Sequence, residues 1–596
     1  MLKSRMKLTQ ISDEQKVEAA LRNQVNLARE PEQVFLNPWA DDGVTLLAEP
    51  PYFWRTCPAA VIEGVGASES EALNDKIEAF LTQTRRHRKF KQPIVYASVP
   101  AILDEVGFRK SFIMAQDRIV LGGAPGTRAV NRFRWANEAE EFDPQQRLVD
   151  YFAESLEANQ GKKLTIDPEA LGPDVDFAIT CRNTFNYYHF VTESLCQLCV
   201  LDDLDFQGRI YIHFPNNERK LRDFTRNFVA VLFPEYKGRV FFERAPKDYD
   251  RVLTAFDLMG VHYLNPYIEP NRLNKLSPSD QIWQGQTPTV AAQGMLQMNT
   301  VGSSLIALRE RALRTIEGLD FSDLPKKFYV GRDTRQSRTR HMEGEDKLFD
   351  HLKMFGFEYV VFENMHPLEQ VALMANAEIM ISYHGAGFTN MLFASPETYV
   401  IEIGTLQTAM TRWGDFWPVA NAAQCKYVSF YADYKGVAPG DEPNPFKEEL
   451  LPTALSHQGA GQLMAFVVAL DGHIPDMPTS GDLLKLARTL FRVGAVDKAL
   501  CVLEAHPKLL AGHMDLLLLL ADCHKEADAP KSELMAIDAA FKADPSRWQT
   551  LVRMVWCANR CERPQVIRWA MARLQADFPE RHDAFLKNHD WVRYVV

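Results

Sequence analysis

The chain has 596 residues, enough for three or four domains of ordinary size. Its hydrophobic share of 46% and charged share of 24% are those of a soluble globular protein, which excludes a disordered or fibrous chain. A net charge of −11 excludes a global pull toward nucleic acid or an anionic membrane, but is compatible with a local basic site for phosphate.

Nine cysteines spread over this length read as reduced thiols and not as a disulfide framework. The opening Met1-Leu-Lys-Ser-Arg-Met-Lys7 has no apolar stretch after its basic residues, which argues against a signal peptide. The densest apolar run, Leu516 to Ala521, is too short to span a bilayer. A cytoplasmic protein is expected, with peripheral membrane contact left open.

Residues 1–150 form an N-terminal segment of weak pattern. A polar helix is expected from Glu14 to Arg29, and Pro31, Pro38, Pro50 and Pro51 break up the chain after it. Residues 67–86 have helical spacing and run into the basic cluster Arg85-Arg86-His87-Arg88-Lys89. That cluster reads as a solvated helix end, with a phosphate or lipid head-group contact as the alternative. Short strands at 93–97 and 111–115 suggest a small β-rich module around 90–125.

Residues 151–300 form a first alternating layer. Strands are expected at 176–180, 209–213, 239–242 and 252–256, and helices at 187–201 and 220–232. Cys181 to Asn186 is a turn rich in helix-capping residues. Strands alternating with helices imply a parallel, nucleotide-fold-like sheet. A loop or crossing segment is expected from Thr287 to about Leu296.

Residues 301–474 form a second alternating layer. Helices are expected at 301–317, 344–354 and 367–376, and strands at 326–330, 357–362, 378–383 and 399–403. Ligands of such doubly wound sheets sit at the carboxyl ends of the strands. The last unit, 480–596, loses its strands and becomes helical hairpins. Ala487 and Ala521 stand 34 residues apart, as do Pro545 and Pro579. This is the tetratricopeptide period, although the signature residues are incomplete. Stacked hairpins offer a groove for a protein partner or for self-association. Deleting 480–596 is therefore expected to leave nucleotide binding intact.

The chemistry concentrates in three places. In Glu378-Ile-Met-Ile-Ser-Tyr-His-Gly-Ala-Gly387 a buried strand feeds a turn of almost no side-chain bulk, followed by a short helix that Pro396 stops. Amides at such a helix start are an anion site, and Gly385 and Gly387 let a diphosphate approach the main chain. An ordinary turn with two convenient glycines fits the same letters. Gly331-Arg-Asp-Thr-Arg-Gln-Ser-Arg-Thr-Arg340 sets four arginines after a strand. Arg332 and Arg338, with Arg335, suit phosphate through their planar forks, against the plainer reading of an exposed basic loop. In Asn186-Tyr-Tyr-His-Phe-Val-Thr-Glu193, His189 and Glu193 share a helix face, the arrangement of a base beside a carboxylate or of a locally bonded histidine.

Glu402 ends the strand after the glycine turn and could accept ribose hydroxyls, or cap or pair locally. Cys196 and Cys199 have metal-like spacing but lie in an amphipathic helix without a second pair, so zinc is not indicated. There is no phosphate-loop lysine motif and no dinucleotide fingerprint, and Asp174-Val-Asp176 precedes a strand. No cofactor is expected.

Leu368 to Phe393, with Val400-Ile-Glu-Ile403, closely resembles the core block of glycosyltransferase family 61. Asn186 to Glu193 resembles that family's upstream block, and Gly331 to Arg338 its arginine block. The resemblance covers about residues 176–405, and neither the first 150 residues nor the helical tail. It implies an α/β fold of GT-B type, two Rossmann-like domains facing across a cleft, with the helical hairpins appended. It implies an inverting transferase that uses a nucleotide-diphosphate sugar, usually a UDP-sugar, without a metal, acting on a glycan, glycolipid or protein. In that light His384, Gly385, Ala386, Gly387, Thr389 and Asn390 would hold the donor diphosphate. Arg332 and Arg338 would neutralise it, and His189 or Glu193 would face the sugar beside Asn186 and Tyr187. Met342-Glu343 stands where members often carry Asn-Glu, and Phe388 where they carry Leu. The competing expectation is a non-catalytic scaffold that recruits partners through its repeats. A nucleotide-sugar epimerase is disfavoured by the missing fingerprint.

Overall fold

The computed structural model describes residues 32, 35–37, 41–48, 55–87, 93–109, 112–120, 165–182, 186–215, 221–257, 300–332, 341–438, 443 and 450–595. The helix expected at 14–29, the segment 287–296, Arg88, Lys89, Arg335 and Arg338 lie outside them.

The first part of the chain supplies β1 (Val44–Leu46), β2 (Arg55–Thr56), β3 (Val61–Gly66), α1 (Glu71–His87), β4 (Ile94–Tyr96), β5 (Val99–Arg109), β6 (Phe112–Ala115) and β7 (Arg118–Ile119). The next part supplies β8 (Phe177–Thr180), α2 (Tyr187–Glu193), β9 (Ile210–Phe214), α3 (Asp223–Leu232), β10 (Val240–Arg244) and β11 (Lys247–Phe256). One sheet joins both parts in the order β10-β9-β8-β11-β5-β6-β7, with β1 on β5. The pairs among β8, β9, β10 and β11 are parallel, and β5 runs antiparallel along nearly all of β11. The β-rich stretch around 90–125 is therefore not a separate module. β5 is buried on both faces over most of its length because it is an interior strand of this sheet.

The second sheet is built from β13 (Lys327–Val330), β14 (Glu358–Val360), β15 (Ile379–Tyr383), β16 (Tyr399–Thr405) and β17 (Lys426–Tyr434), after β12 (Thr300–Gly302) and α4 (Ser303–Ile316). Between the strands lie α5 (Glu345–Lys353), α6 (Pro367–Ala375), α7 (Leu406–Thr411) and α8 (Trp413–Ala423). β18 (Thr453–Ala454) and α9 (His457–Leu470) come next. The order is β14-β13-β15-β16-β17, all parallel, and β3 adds in parallel beyond β17. All five residues of β15 are buried, as an apolar strand covered on both faces requires. α6 starts where the sequence marks it. Pro367 occupies its first turn, and Glu369 accepts the His366 amide at 2.8 Å in a capping box.

Strand order and sequence order part company between β13 and β15. Connections leave in opposite directions there, so a crevice opens at the carboxyl ends of those two strands. Those ends carry Gly331-Arg332 and His384-Gly385.

The tail folds into α10 (Ser480–Arg492), α11 (Val496–Ala505), α12 (Pro507–Leu510), α13 (Met514–Glu526), α14 (Pro530–Ala543), α15 (Trp548–Arg560), α16 (Pro564–Asp577) and α17 (Pro579–Asn588). Leu483, Leu486 and Leu490 of α10 share one apolar cluster with Val65 of β3, Ile401 of β16 and Val428 of β17. Ile537, Leu551, Ile567 and Leu574 belong to a separate cluster further out. The expectation that nucleotide binding survives deletion of 480–596 does not fit this packing. Removing three buried leucines takes away about 5–9 kcal/mol of burial, comparable with the net stability of a domain. Truncation after Pro478 is expected to yield aggregated or protease-sensitive protein. Truncation after Ala543 should leave a soluble core, and gel filtration with limited proteolysis separates the two.

Candidate functional site

The two sheet units meet over a cleft of about 520 Å³. Asn186, Tyr187 and Arg222 line it from the first unit, and Arg332 and Gly385 to Phe388 from the second. The geometry comes from the turns that end β13 and β15. Gly385 has extended backbone and caps a 3₁₀ helix, Ala386–Phe393, in place of the short α-helix expected. The Arg332 guanidinium donates to the His384 carbonyl and lies 4.4 Å from the centre of the Tyr383 ring. A Cβ on Gly385 would overlap Arg332 Nη2, so glycine is what lets the arginine sit against the turn. The result is a positive group and helix-start amides on one wall, an arrangement suited to an anion.

His384 turns its ring to the other side of the turn. Its Nδ1 is 2.5 Å from Glu402 Oε1. Glu402 is only 1% exposed, and its second oxygen accepts from Tyr427 at 2.5 Å and Ser429 at 3.0 Å. Burial pushes this carboxyl upward. The His384 charge and the hydrogen bonds from His384, Tyr427 and Ser429 outweigh that and hold it below the usual glutamate range. The expected contact of Glu402 with a ribose does not fit a carboxylate so enclosed. β16 continues to Thr405, so Glu402 is mid-strand beneath the imidazole and fixes its orientation.

Thr389 is also misplaced by the sequence reading. It is fully buried and is not part of the cleft lining, because the 3₁₀ turn points it into the protein. Asn390 does reach the lining, but its amide bridges the units. Its Oδ1 accepts from the Tyr187 hydroxyl at 2.5 Å, and its Nδ2 donates to Gln370 Oε1 at 3.0 Å. Gln370 in turn donates to the Phe362 carbonyl at 2.9 Å. Burial raises the Tyr187 phenol well above its ordinary value and keeps it a donor. The ring packs edge-on against Phe224, with centres 5.5 Å apart.

From the first unit, Asn186 caps α2 and accepts the His189 amide at 3.4 Å. His189 Nδ1 lies 2.8 Å from Glu193 Oε1. A carboxylate only accepts, so Nδ1 carries the hydrogen and Nε2 is left as the basic nitrogen. Arg182 Nη1 stands 3.8 Å from the same Glu193 oxygen. The structure thus brings a histidine–carboxylate pair from each unit to the junction.

The sequence reading missed the residues that stand between them. Tyr188 donates to the Asp415 carbonyl at 2.9 Å, and the Phe416 ring packs against both Tyr188 and His384 with centres 5.6 Å away. Arg412-Trp-Gly-Asp-Phe416 carries no recognisable spacing, and only chain folding brings it here. Among the described residues no cluster of three or more histidines, cysteines or carboxylates has metal-holding geometry.

Comparison with known proteins gives one family. The model of Glycosyltransferase 61 matches residues 187–401, a span that holds α2, the Arg332 turn and the His384 turn. No curated protein matches the chain. Similar solved structures include MamA, at 16% identity and a TM-score of 0.17 over 20% of this chain and 68% of that one. A second MamA structure has the same identity and score over 63% of its length. Another is the Yersinia enterocolitica type III secretion chaperone SycD in complex with a peptide of the translocator YopD. It is 15% identical, with a TM-score of 0.18, over 20% of this chain and 94% of that one. Over residues 187–401, this chain is similar to the glycosyltransferase 61 family.

Proposed function

We propose that this protein moves a sugar from a nucleotide-diphosphate donor, UDP-linked, to a hydroxyl of a glycan, glycolipid or protein, with inversion and without a bound metal. The observation that carries the reading is the Arg332 guanidinium seated on the His384–Gly387 turn at the switch point of the second sheet. A diphosphate placed in the cleft would meet that guanidinium and the amides of the turn. They would stabilise its growing charge as the glycosidic bond breaks, the work a cation does elsewhere. The two sheet units would then be the facing halves of a GT-B enzyme.

Inversion needs the acceptor oxygen to attack from the face opposite the leaving diphosphate and to give up its proton. His189 Nε2 takes the proton, and Glu193 holds the imidazole and offsets the charge it gains. Arg335 and Arg338 would add to the neutralisation. The reading places the protein in the cytoplasm, in line with cysteines that form no disulfide framework. No described helix is long and apolar enough to cross a membrane.

Calorimetry with UDP, in the presence and absence of EDTA, tests the donor side. Equal binding in both is expected; no binding of any nucleoside diphosphate would sink the reading. His189→Ala should keep UDP affinity and lower transfer by about 10²–10⁴-fold, the usual worth of a general base. Unchanged glycan product from that variant would favour a scaffold that recruits partners through the helical tail.

A further inference from the structure

The two histidine–carboxylate pairs flank the start of α8. Tyr188 packs edge-on against His189, with ring centres 5.2 Å apart, and bonds the Asp415 main chain. Phe416, the next residue, packs on both Tyr188 and His384. The side chain of Asp415 is 39% exposed, and its ion-pair partner among the described residues is Arg412 at 3.6 Å. The carboxylate interacts electrostatically with both His384 and His189. It is not among their close ion-pair partners, which are Glu193 for His189 and Glu402 for His384. A partly exposed carboxylate near two histidines, beyond direct bonding to either, has the composition of a sugar site. Hydroxyl groups donate to carboxylates and exchange hydrogen bonds with imidazoles.

We propose that Asp415 is a substrate-binding residue whose carboxylate accepts a hydrogen bond from a sugar hydroxyl held between His189 and His384. This rests on the transferase reading and deepens it by assigning a second compartment. The backbone side of the His384 turn faces the 520 Å³ cleft and the diphosphate. The imidazole side, with Asp415, takes the polyhydroxylated part. Nothing in the sequence assigns this role, and the donor sugar and the acceptor offer the same chemistry.

The charged groups that act on Asp415 are Arg412 on its own approach, His189 from the first unit, itself paired with Glu193, and His384, itself paired with Glu402. Burial raises the Asp415 carboxyl above its ordinary range, against the opposing charges of Arg412, His384 and His189. A hydroxyl-accepting role needs the ionised form. Activity should therefore fall in acid with a midpoint above that of an ordinary aspartate.

The test uses the full chain and compares wild type with Asp415→Asn and Asp415→Ser. UDP and a panel of UDP-sugars are titrated calorimetrically, and UDP release in water is followed against pH. Both variants are expected to bind UDP as wild type does. A loss of at least tenfold in UDP-sugar affinity assigns the hydroxyl to the donor. Unchanged UDP-sugar affinity with at least a tenfold fall in UDP release assigns it to the acceptor side, where water stands in. In either case the acid limb attributable to Asp415 should disappear. UDP-sugar affinity and UDP release both within twofold of wild type would overturn the proposal. So would an equal loss of UDP affinity in both variants, which marks a merely structural residue. If wild type binds no nucleotide, the transferase reading fails first and takes this one with it.

Discussion

Gly385→Ala is expected to fold and to lose nucleoside-diphosphate affinity by roughly 10–100-fold. The cause is steric. Gly385 has extended backbone that any residue adopts, so no strain is stored there. A methyl group at this position overlaps Arg332 Nη2, however, and the nearest atoms are the flexible end of that side chain. The arginine yields while the sheet stays, giving up the His384 carbonyl and the face of Tyr383. A hydrogen bond to a charged group is worth about 1.5–3 kcal/mol, and about 1.4 kcal/mol is a factor of ten in affinity. Gly387→Ala separates displacement of Arg332 from added bulk in the turn. Its added carbon would find Phe362 at 3.5 Å, an ordinary contact. Calorimetry with UDP on both variants decides the matter, and equal losses would show that bulk anywhere in the turn is at fault.

Glu402→Ala should be the most damaging single substitution to stability in the second unit. It leaves the His384 imidazole, the Tyr427 hydroxyl and the Ser429 hydroxyl without their shared acceptor in a buried space. Breaking a buried pair by removing one partner costs about 3–5 kcal/mol. Glu402→Gln keeps the volume and an acceptor, and isolates the charge. The folded-state pKa of Glu402 lies below its ordinary value of 4.5. Its contribution is therefore fully present above that value and is lost as pH falls through the folded pKa. Thermal unfolding followed from neutral pH into acid should show wild type and the Gln variant separated at neutral pH and converging once the pH falls through the folded pKa. Parallel curves would mean that Glu402 is not the charged partner of His384.

Several elements were legible because their causes are local. The apolar run of β15 and the proline and glutamate that open α6 each act within a few residues. So does the i, i+4 spacing that places Glu193 against His189. The carboxyl-edge location of Arg332 and His384 followed from strand–helix alternation alone. Sheet membership was not legible. β3 lies far along the chain from β17, and β5 from β11, and a short apolar strand carries no mark of so distant a neighbour. The tail's dependence was hidden for the same reason, since an amphipathic helix shows that it buries one face but not against what.

At the site the division is similar. The residue types and order of the three blocks were set by the sequence, because glycine clearance, arginine charge and helical spacing are properties of adjacent residues. Tertiary structure alone decided that Glu402 lies beneath His384, that Thr389 points inward, and that Asn390 ties the units together through Tyr187. It also brought the Asp415–Phe416 turn near two histidines from different units. Which side chains face one another across a junction depends on how two sheets dock, and docking is fixed by the summed burial of many distant apolar residues.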